Sequence, residues 1–170
     1  MKRSFLLINF VFFQLTWFIC VLGGDEWLIL ALGLLVCHFL LSSRKRSDLV
    51  VMTLIGIIGI CVDFVLTLIG IFQFSEVLFP LWLVVLWAMF ALTFNHSMAW
   101  IKRRPLYQQS VLGALGGASS YYAGMRLGAV DFGFDVVITM LVLLLLWGLL
   151  VPLNVFVLAR LKGWSERGAW

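Results

Sequence analysis

Long apolar stretches, separated by short polar turns, follow one another along the whole chain. A helix needs about 20 residues to cross the roughly 30 Å hydrocarbon core of a bilayer. Six stretches approach or exceed that length: 5–23, 26–41, 49–72, 77–97, 109–130 and 135–161. With 64% hydrophobic and 12% charged residues, the chain has more apolar surface than a soluble core can bury. The sequence therefore predicts an all-α integral membrane protein, a single domain over 1–170 built as a six-transmembrane-helix bundle.

The basic residues are distributed unevenly between the two sides of such a bundle. Those on the side of the N-terminus are Lys2, Arg3, Arg44, Lys45, Arg46, Lys102, Arg103, Arg104, Arg160, Lys162 and Arg167, which leaves Arg126 near the opposite side. Because short cytoplasmic loops are enriched in Lys and Arg, both termini are predicted to be cytoplasmic. The basic clusters thus indicate orientation and contact with anionic membrane lipids, and not nucleic-acid binding.

The fifth stretch is rich in glycine. Small residues recur every four positions along it, at Gly116, Ser120, Gly124 and Gly128. A ridge of this kind lets two helix backbones approach closely. We therefore predict a central place for the fifth helix in the bundle. The same ridge is a candidate contact surface for other membrane proteins or for a second copy of the chain.

Polar side chains within the predicted spans form two layers. The layer toward the cytoplasm contains Asn9, His38, Asn95, His96 and Asn154, and the layer at the middle and outer half contains Gln14, Asp63, Tyr121, Tyr122 and Arg126. An ionisable group inside a bilayer costs about 2.5–3.5 kcal/mol on insertion scales and by default marks a functional site. Both layers therefore supply candidate site residues.

Asp63 and the two histidines are the candidate catalytic residues. An ion pair between Asp63 and Arg126 is the favoured interpretation, since each would neutralise the other; a proton carrier or an acid–base group is the alternative. His96 is the best candidate for general acid–base chemistry, because imidazole performs it most often. A metal site would need a carboxylate beside His38 and His96, and Asp63 lies in the other layer. No metal and no cofactor is predicted.

Four tryptophans lie deep in the predicted spans and away from the interfaces: Trp17, Trp82, Trp87 and Trp147. They could line a pocket for an acyl or isoprenoid chain. Packing between helices is the commoner role of such residues.

Several segments are typical of one family. They are Asn9-Phe10, Phe13-Gln14, Trp17-Phe18 and 20–23, then Pro80-Leu81-Trp82, Trp87, Phe90 and 93–97, and finally 113–117, Tyr122-Ala123-Gly124 and Leu127-Gly128. Over nearly its whole length the chain resembles the bacterial domain-of-unknown-function family 2878, small multi-pass proteins of the inner membrane of Gram-negative bacteria. The resemblance implies a bacterial source and a multi-pass position in the cell inner membrane. It implies no activity and no catalytic residues.

Three functions are compatible with these features. The leading hypothesis is a membrane-embedded protein, an enzyme or an accessory subunit, that handles or modifies a lipid or lipid-like substrate near the cytoplasmic leaflet. Its candidate substrate-binding residues are Asn9, Gln14, Asn95, Tyr122, Arg126 and Asn154. The alternatives are a small proton-coupled transporter or carrier that uses Asp63 and Arg126, and a non-catalytic membrane scaffold. The sequence leaves open whether the chain is an enzyme.

Overall fold

The computed structural model describes residues 3–74 and 79–165, and six helices account for most of them. The helices are α1 Arg3–Gly23, α2 Leu28–Leu41, α3 Lys45–Leu68, α4 Leu81–Thr93, α5 Leu106–Arg126 and α6 Val136–Ser165. Two short 3-10 helices cover Gly24–Trp27 and Ala99–Arg103. Each predicted stretch overlaps one helix. The predictions for Lys2, for Arg167 and for residues 77–78 of the fourth stretch lie outside the described residues.

Three helical stretches are long and apolar enough to cross a membrane: Ser4–Leu41, Lys45–Leu68 and Val136–Arg160. The first joins α1 and α2 through a 3-10 turn. α4 is apolar but has only 13 residues, so it rises about 20 Å. The large exposed side chains of the described helices are mostly Leu, Ile, Val and Phe, which suits a lipid surrounding. These properties indicate a membrane protein.

α4, and not α5, is the central helix. It packs against α1, α2 and α3, whereas α5 packs chiefly against α6. α4 is apolar on every face and buries most of its side chains, Trp82, Trp87 and Met89 among them. α5 exposes Leu115, which is 61% accessible. The central place predicted for the fifth helix is therefore wrong: Gly113 and Gly117 fit one neighbour, α6, and do not make α5 the core of the bundle.

A two-stranded ribbon joins the ends of α3 and α5. Each of these helices is followed by a glycine with a φ of 79°, Gly70 and Gly128, a backbone conformation that other residues rarely adopt. The chain then extends into β1 (Phe72–Gln73) and β2 (Asp131–Phe132), which pair antiparallel. The all-helical prediction did not include this ribbon. It matters for the site because it holds Phe72 against α5.

Candidate functional site

A buried carboxylate, Asp48, lies one turn inside the start of α3 and is 0% exposed. Its Oδ1 accepts a hydrogen bond from Nδ2 of Asn95 at 2.9 Å and lies 2.8 Å from Nε2 of His96. Its Oδ2 accepts a hydrogen bond from the Ser42 hydroxyl and lies 3.4 Å from Nε2 of His38. An ionised carboxylate only accepts, so each imidazole donates from Nε2. These five residues are termed the Asp48 cluster.

Helix ends bring the Asp48 cluster together. Ser42 caps α2, and its N–H donates to the carbonyl of His38 at 2.9 Å, so both side chains lie at the same end of that helix. Asn95 and His96 lie in the turns directly after α4. Because α4 packs against both α2 and α3, its end meets the loop that connects those two helices. Residues far apart in sequence thus converge on Asp48.

α1 covers the Asp48 cluster. The ring of Phe5 lies 5.4 Å from that of His38 and 4.9 Å from that of His96, measured between centroids. One turn later, Oδ1 of Asn9 accepts hydrogen bonds from the N–H of Ser97 at 3.1 Å and from its hydroxyl at 2.6 Å. The two imidazoles are therefore enclosed, and His38 is 0% and His96 2% exposed.

The structure groups most of the predicted inner layer and adds one residue that the sequence analysis missed. His38, Asn95 and His96 converge on one point, with Asn9 beside them. The missed residue, Asp48, directly precedes the predicted third stretch (49–72) and follows three basic residues, so it resembled a solvated turn residue. The sequence did contain a signal for Asp48: it is an acidic residue that follows a basic cluster and lies in the first turn of a helix.

Asn154, the remaining member of the inner layer, is not part of the Asp48 cluster. It is 0% exposed within α6. Neither its Nδ2 nor its Oδ1 has a hydrogen-bond partner among the described residues.

Three members of the Asp48 cluster are potential metal ligands. One ligand atom each of His38, Asp48 and His96 lies within 4.8 Å of the other two. The sequence argued against a metal because Asp63 lay in the other layer. Asp63 does lie elsewhere, but Asp48 supplies a carboxylate between the imidazoles.

Asp63 is a second buried carboxylate, in the third helix and 1% exposed. Its Oδ2 accepts hydrogen bonds from Nε1 of Trp87 at 2.6 Å and from the Tyr121 hydroxyl at 2.5 Å. Trp87 lies against Gly59, where a Cβ would come within 2.1 Å of the indole ring. Phe72 stacks on Tyr121, with the ring centroids 4.9 Å apart. Side chains from α4 and α5 thus meet at this carboxylate of α3.

The predicted ion pair between Asp63 and Arg126 is wrong. Arg126 is exposed in the last turn of α5, whereas Asp63 is buried and accepts from Trp87 and Tyr121. An indole N–H and a phenol O–H satisfy the carboxylate without a second buried charge, which avoids the cost of desolvating a guanidinium. The adjacent Tyr122 is 40% exposed, so α5 turns Tyr121 inward and Tyr122 outward.

A cavity of about 550 Å³ lies between α1, α4, α5 and α6. The four deep tryptophans of the sequence all line it: Trp17, Trp82, Trp87 and Trp147. The cavity follows α5 from Leu112 to Gly124, a rise of about 18 Å. Tyr121 and Trp87 belong to its wall, so Asp63 lies behind that wall. Its size and its apolar, aromatic lining are typical of ligand pockets.

α5 presents small residues to both the cavity and α6. At Gly117 a Cβ would come within 2.0 Å of the Trp147 ring, so this position allows the close approach of α5 to α6. At Gly116 a Cβ would meet nothing within 4 Å, and this residue lines the cavity together with Ser120 and Gly124. Three members of the predicted ridge therefore face a cavity within the chain.

The cavity is open on the side between α1 and α5. Phe18 of α1 is 49% exposed and Leu112 of α5 is 41% exposed, although both line the cavity. α1 packs mainly against α2 and α4, and α5 against α6. Nε1 of Trp17 donates a hydrogen bond to the Ser120 hydroxyl at 2.8 Å across this opening. Between α1 and α5 the cavity is therefore lined by side chains that also reach the outer surface of the bundle.

The predicted site residues are divided between the cavity, the Asp48 cluster and other parts of the structure. Among the predicted substrate-binding residues, Gln14 lines the cavity in the part of the chain that the structure describes. Of the catalytic candidates, His38 and His96 belong to the Asp48 cluster, and Asp63 lies behind the cavity wall, where it accepts from Trp87 and Tyr121. The cavity and the Asp48 cluster are therefore two separate sites.

Comparison with known proteins identifies the family of the chain. No curated protein and no solved structure matches the chain significantly. A family model described as "Protein of unknown function (DUF2878)" matches residues 6–153, a range that includes the Asp48 cluster and the residues that line the cavity. The chain therefore belongs to domain-of-unknown-function family 2878.

Proposed function

We propose that the chain crosses a bacterial inner membrane six times, with both termini in the cytoplasm. The agreement of six helices with six apolar stretches and the uneven distribution of basic residues support this topology. α2 and α4 are shorter than the hydrocarbon core, and 3-10 helices directly before α2 and shortly after α4 add to their length. Local thinning of the bilayer accommodates the remaining difference.

Cysteine labelling in intact cells tests this topology. In a chain with Cys37→Ser and Cys61→Ser, the variant Asp131→Cys is expected to react with a membrane-impermeant maleimide that has entered the periplasm. Arg104→Cys is expected to react only after the inner membrane is permeabilised. Both positions are exposed, so access to the reagent decides the result. Equal labelling of the two variants in intact cells would rule out the six-span orientation.

We further propose that the protein binds one lipid-like molecule through its hydrocarbon chain in the cavity between α1, α4, α5 and α6. The observation that supports this function is the cavity itself, which is elongated, apolar and open to the side. A lateral opening admits an acyl or isoprenoid chain from the bilayer without exposing it to water. The polar groups of the lining are few, Gln14, Ser120 and Tyr121 among them, and suit one small polar group on the ligand.

Asp63 supports this cavity as a positioning residue. It does not line the cavity, but both donors to its Oδ2, Trp87 and Tyr121, do. Each hydrogen bond restricts the orientation of one ring of the wall. The carrier hypothesis used both Asp63 and Arg126, but Arg126 is exposed in the last turn of α5, whereas Asp63 is buried beside two neutral donors. The geometry therefore gives less support to a carrier that uses these two residues together than to ligand binding in the cavity.

Filling the cavity from α5 is expected to weaken ligand binding. Gly116→Leu places a side chain into the open space beside Gly116, whereas Gly33→Leu adds the same atoms to an exposed helical glycine of α2 that also has nothing within 4 Å. We expect an apparent affinity at least about tenfold lower for Gly116→Leu and unchanged for Gly33→Leu.

Tryptophan fluorescence measures this binding, because four tryptophans line the cavity. Phosphatidylglycerol with brominated acyl chains, titrated into the protein in detergent micelles, is expected to quench that fluorescence saturably. Competition by unbrominated phosphatidylglycerol or by farnesyl phosphate identifies the type of chain. Quenching that does not saturate, or that is equal in Gly116→Leu and in wild type, would refute the proposed function.

A further inference from the structure

The Asp48 cluster is a polar site with no part in the cavity, since none of its five residues is among the described residues that line the cavity. Three of its side chains offer ligand atoms of the kinds that bind transition metals: the Nε2 atoms of His38 and His96 and the carboxylate of Asp48. His38 and His96 are the two histidines of the sequence. Any binding that depends on imidazole must therefore involve this site.

The distances suit a shared ion. A divalent ion of the size of zinc binds nitrogen and oxygen at about 2.0–2.2 Å in tetrahedral geometry, so two ligand atoms on one ion lie roughly 3.3–3.6 Å apart. Nε2 of His96 lies 2.8 Å from one oxygen of Asp48, and Nε2 of His38 lies 3.4 Å from the other. Small movements of the imidazoles thus place all three ligands around one ion.

The Nδ1 atoms of the two imidazoles can take up a proton. Nδ1 of His38 and Nδ1 of His96 are buried and have no hydrogen-bond partner among the described residues. Since no described donor faces Nδ1, each ring can carry its proton there when Nε2 binds an ion. The imidazoles are also sealed from one side by Phe5, so they are not held in place by solvent.

The surrounding groups can hold the carboxylate in position for a metal. Asn95 donates from Nδ2 to Oδ1 of Asp48 and also to the Ser47 hydroxyl at 2.8 Å, and Ser42 donates to Oδ2. Groups that donate hydrogen bonds to a metal-binding side chain in this way orient that side chain and raise the affinity of the site for the metal.

We propose that His38, Asp48 and His96 bind one divalent transition metal ion at the cytoplasmic end of the helix bundle. Two imidazoles and one carboxylate favour Zn²⁺, Fe²⁺, Mn²⁺ or Co²⁺ over Mg²⁺ and Ca²⁺, which prefer oxygen ligands. Binding moves the proton of each imidazole from Nε2 to Nδ1, because Nε2 must present a lone pair to the ion. Three protein ligands leave at least one position on the ion for another molecule.

Titration with Co²⁺ and Zn²⁺ alone tests this site. The protein is purified without a histidine tag, treated with a chelator, and carries Cys37→Ser and Cys61→Ser to remove the two exposed thiols. We expect one ion per chain, measured by elemental analysis after gel filtration and by the visible absorption of bound Co²⁺. Mg²⁺ at the same concentration is expected not to compete.

Glutamine variants separate metal binding from folding. The side-chain amide of His38→Gln or His96→Gln can still donate to Asp48 but is a poor metal ligand. Each variant is expected to lose at least about 100-fold in affinity while it remains monodisperse and helical. If His96→Gln does not fold, His38→Gln, which changes the longer 3.4 Å contact, decides the question. Absence of stoichiometric binding in folded wild type, or equal binding in a folded glutamine variant, would overturn the proposal.

Discussion

Asp48→Ala is expected to lower the free energy of unfolding by about 3–5 kcal/mol. The substitution removes the common acceptor of four side chains: His38, Ser42, Asn95 and His96. A buried donor left without an acceptor costs about 1–3 kcal/mol. The total loss in the free energy of unfolding stays below four times the cost of one unpaired donor, because Asn95 keeps its hydrogen bond to Ser47 and the Ser42 hydroxyl can rotate. Denaturation in mixed detergent micelles, followed by circular dichroism, measures the change.

This measurement is made on chelator-treated protein, so that it reports the hydrogen-bond network and not a bound metal. Asp131→Ala is the matched control, since Asp131 is exposed and its loss is expected to cost less than about 0.5 kcal/mol. Asp48→Asn should fall between the two, because its amide oxygen still accepts from Asn95 and His96. If Asp48→Ala is as stable as Asp131→Ala, the Asp48 cluster does not stabilise the fold.

Gly117→Ala is expected to lower the free energy of unfolding by about 1–3 kcal/mol, the usual cost of overpacking. The added Cβ would lie 2.0 Å from the ring of Trp147, which must then move. That ring has little freedom, because it is stacked on the indole of Trp87 at a centroid distance of 5.4 Å. We therefore expect α5 to shift away from α6. The thermal unfolding midpoint in detergent measures the loss.

Gly116→Ala, one residue earlier on the same helix, is the control. Nothing lies within 4 Å of the new Cβ, so the substitution is expected to be neutral or to stabilise the helix by up to about 1 kcal/mol. The difference between the two neighbours isolates the contact with Trp147 from the helix propensity of alanine. Equal destabilisation by both substitutions would show that this contact is not the cause.

Helix positions were largely predictable from apolar length, but helix ends were not. α3 begins at Lys45, before the predicted start at residue 49. The prediction followed apolar length and therefore left out residues 45–48, which are polar but helical. α4 ends at Thr93, before the predicted end at residue 97, because Asn95 and His96 leave the helix to reach Asp48. Apolar length does not report such contacts.

The sequence predicted the depth in the bundle of many candidate site residues, but it did not predict their hydrogen-bond partners. His38, Asn95 and His96 were correctly placed in one layer, and the four deep tryptophans do line one cavity. Asp63 was paired with Arg126, at a comparable depth, although its donors are Trp87 and Tyr121. Position along a helix follows from residue number, but the direction in which a side chain points depends on how the helix is rotated against its neighbours.

The amino-acid sequence by itself determined that this protein is helical and apolar enough for a membrane, because backbone groups surrounded by lipid must be satisfied within each helix. The tertiary structure decided which helix is central and which carboxylate lies between the two histidines. Those outcomes depend on close packing at particular points, such as Trp87 against Gly59 and Trp147 against Gly117. Packing of this kind sets the rotation of each helix, and rotation selects the partners of the buried polar groups.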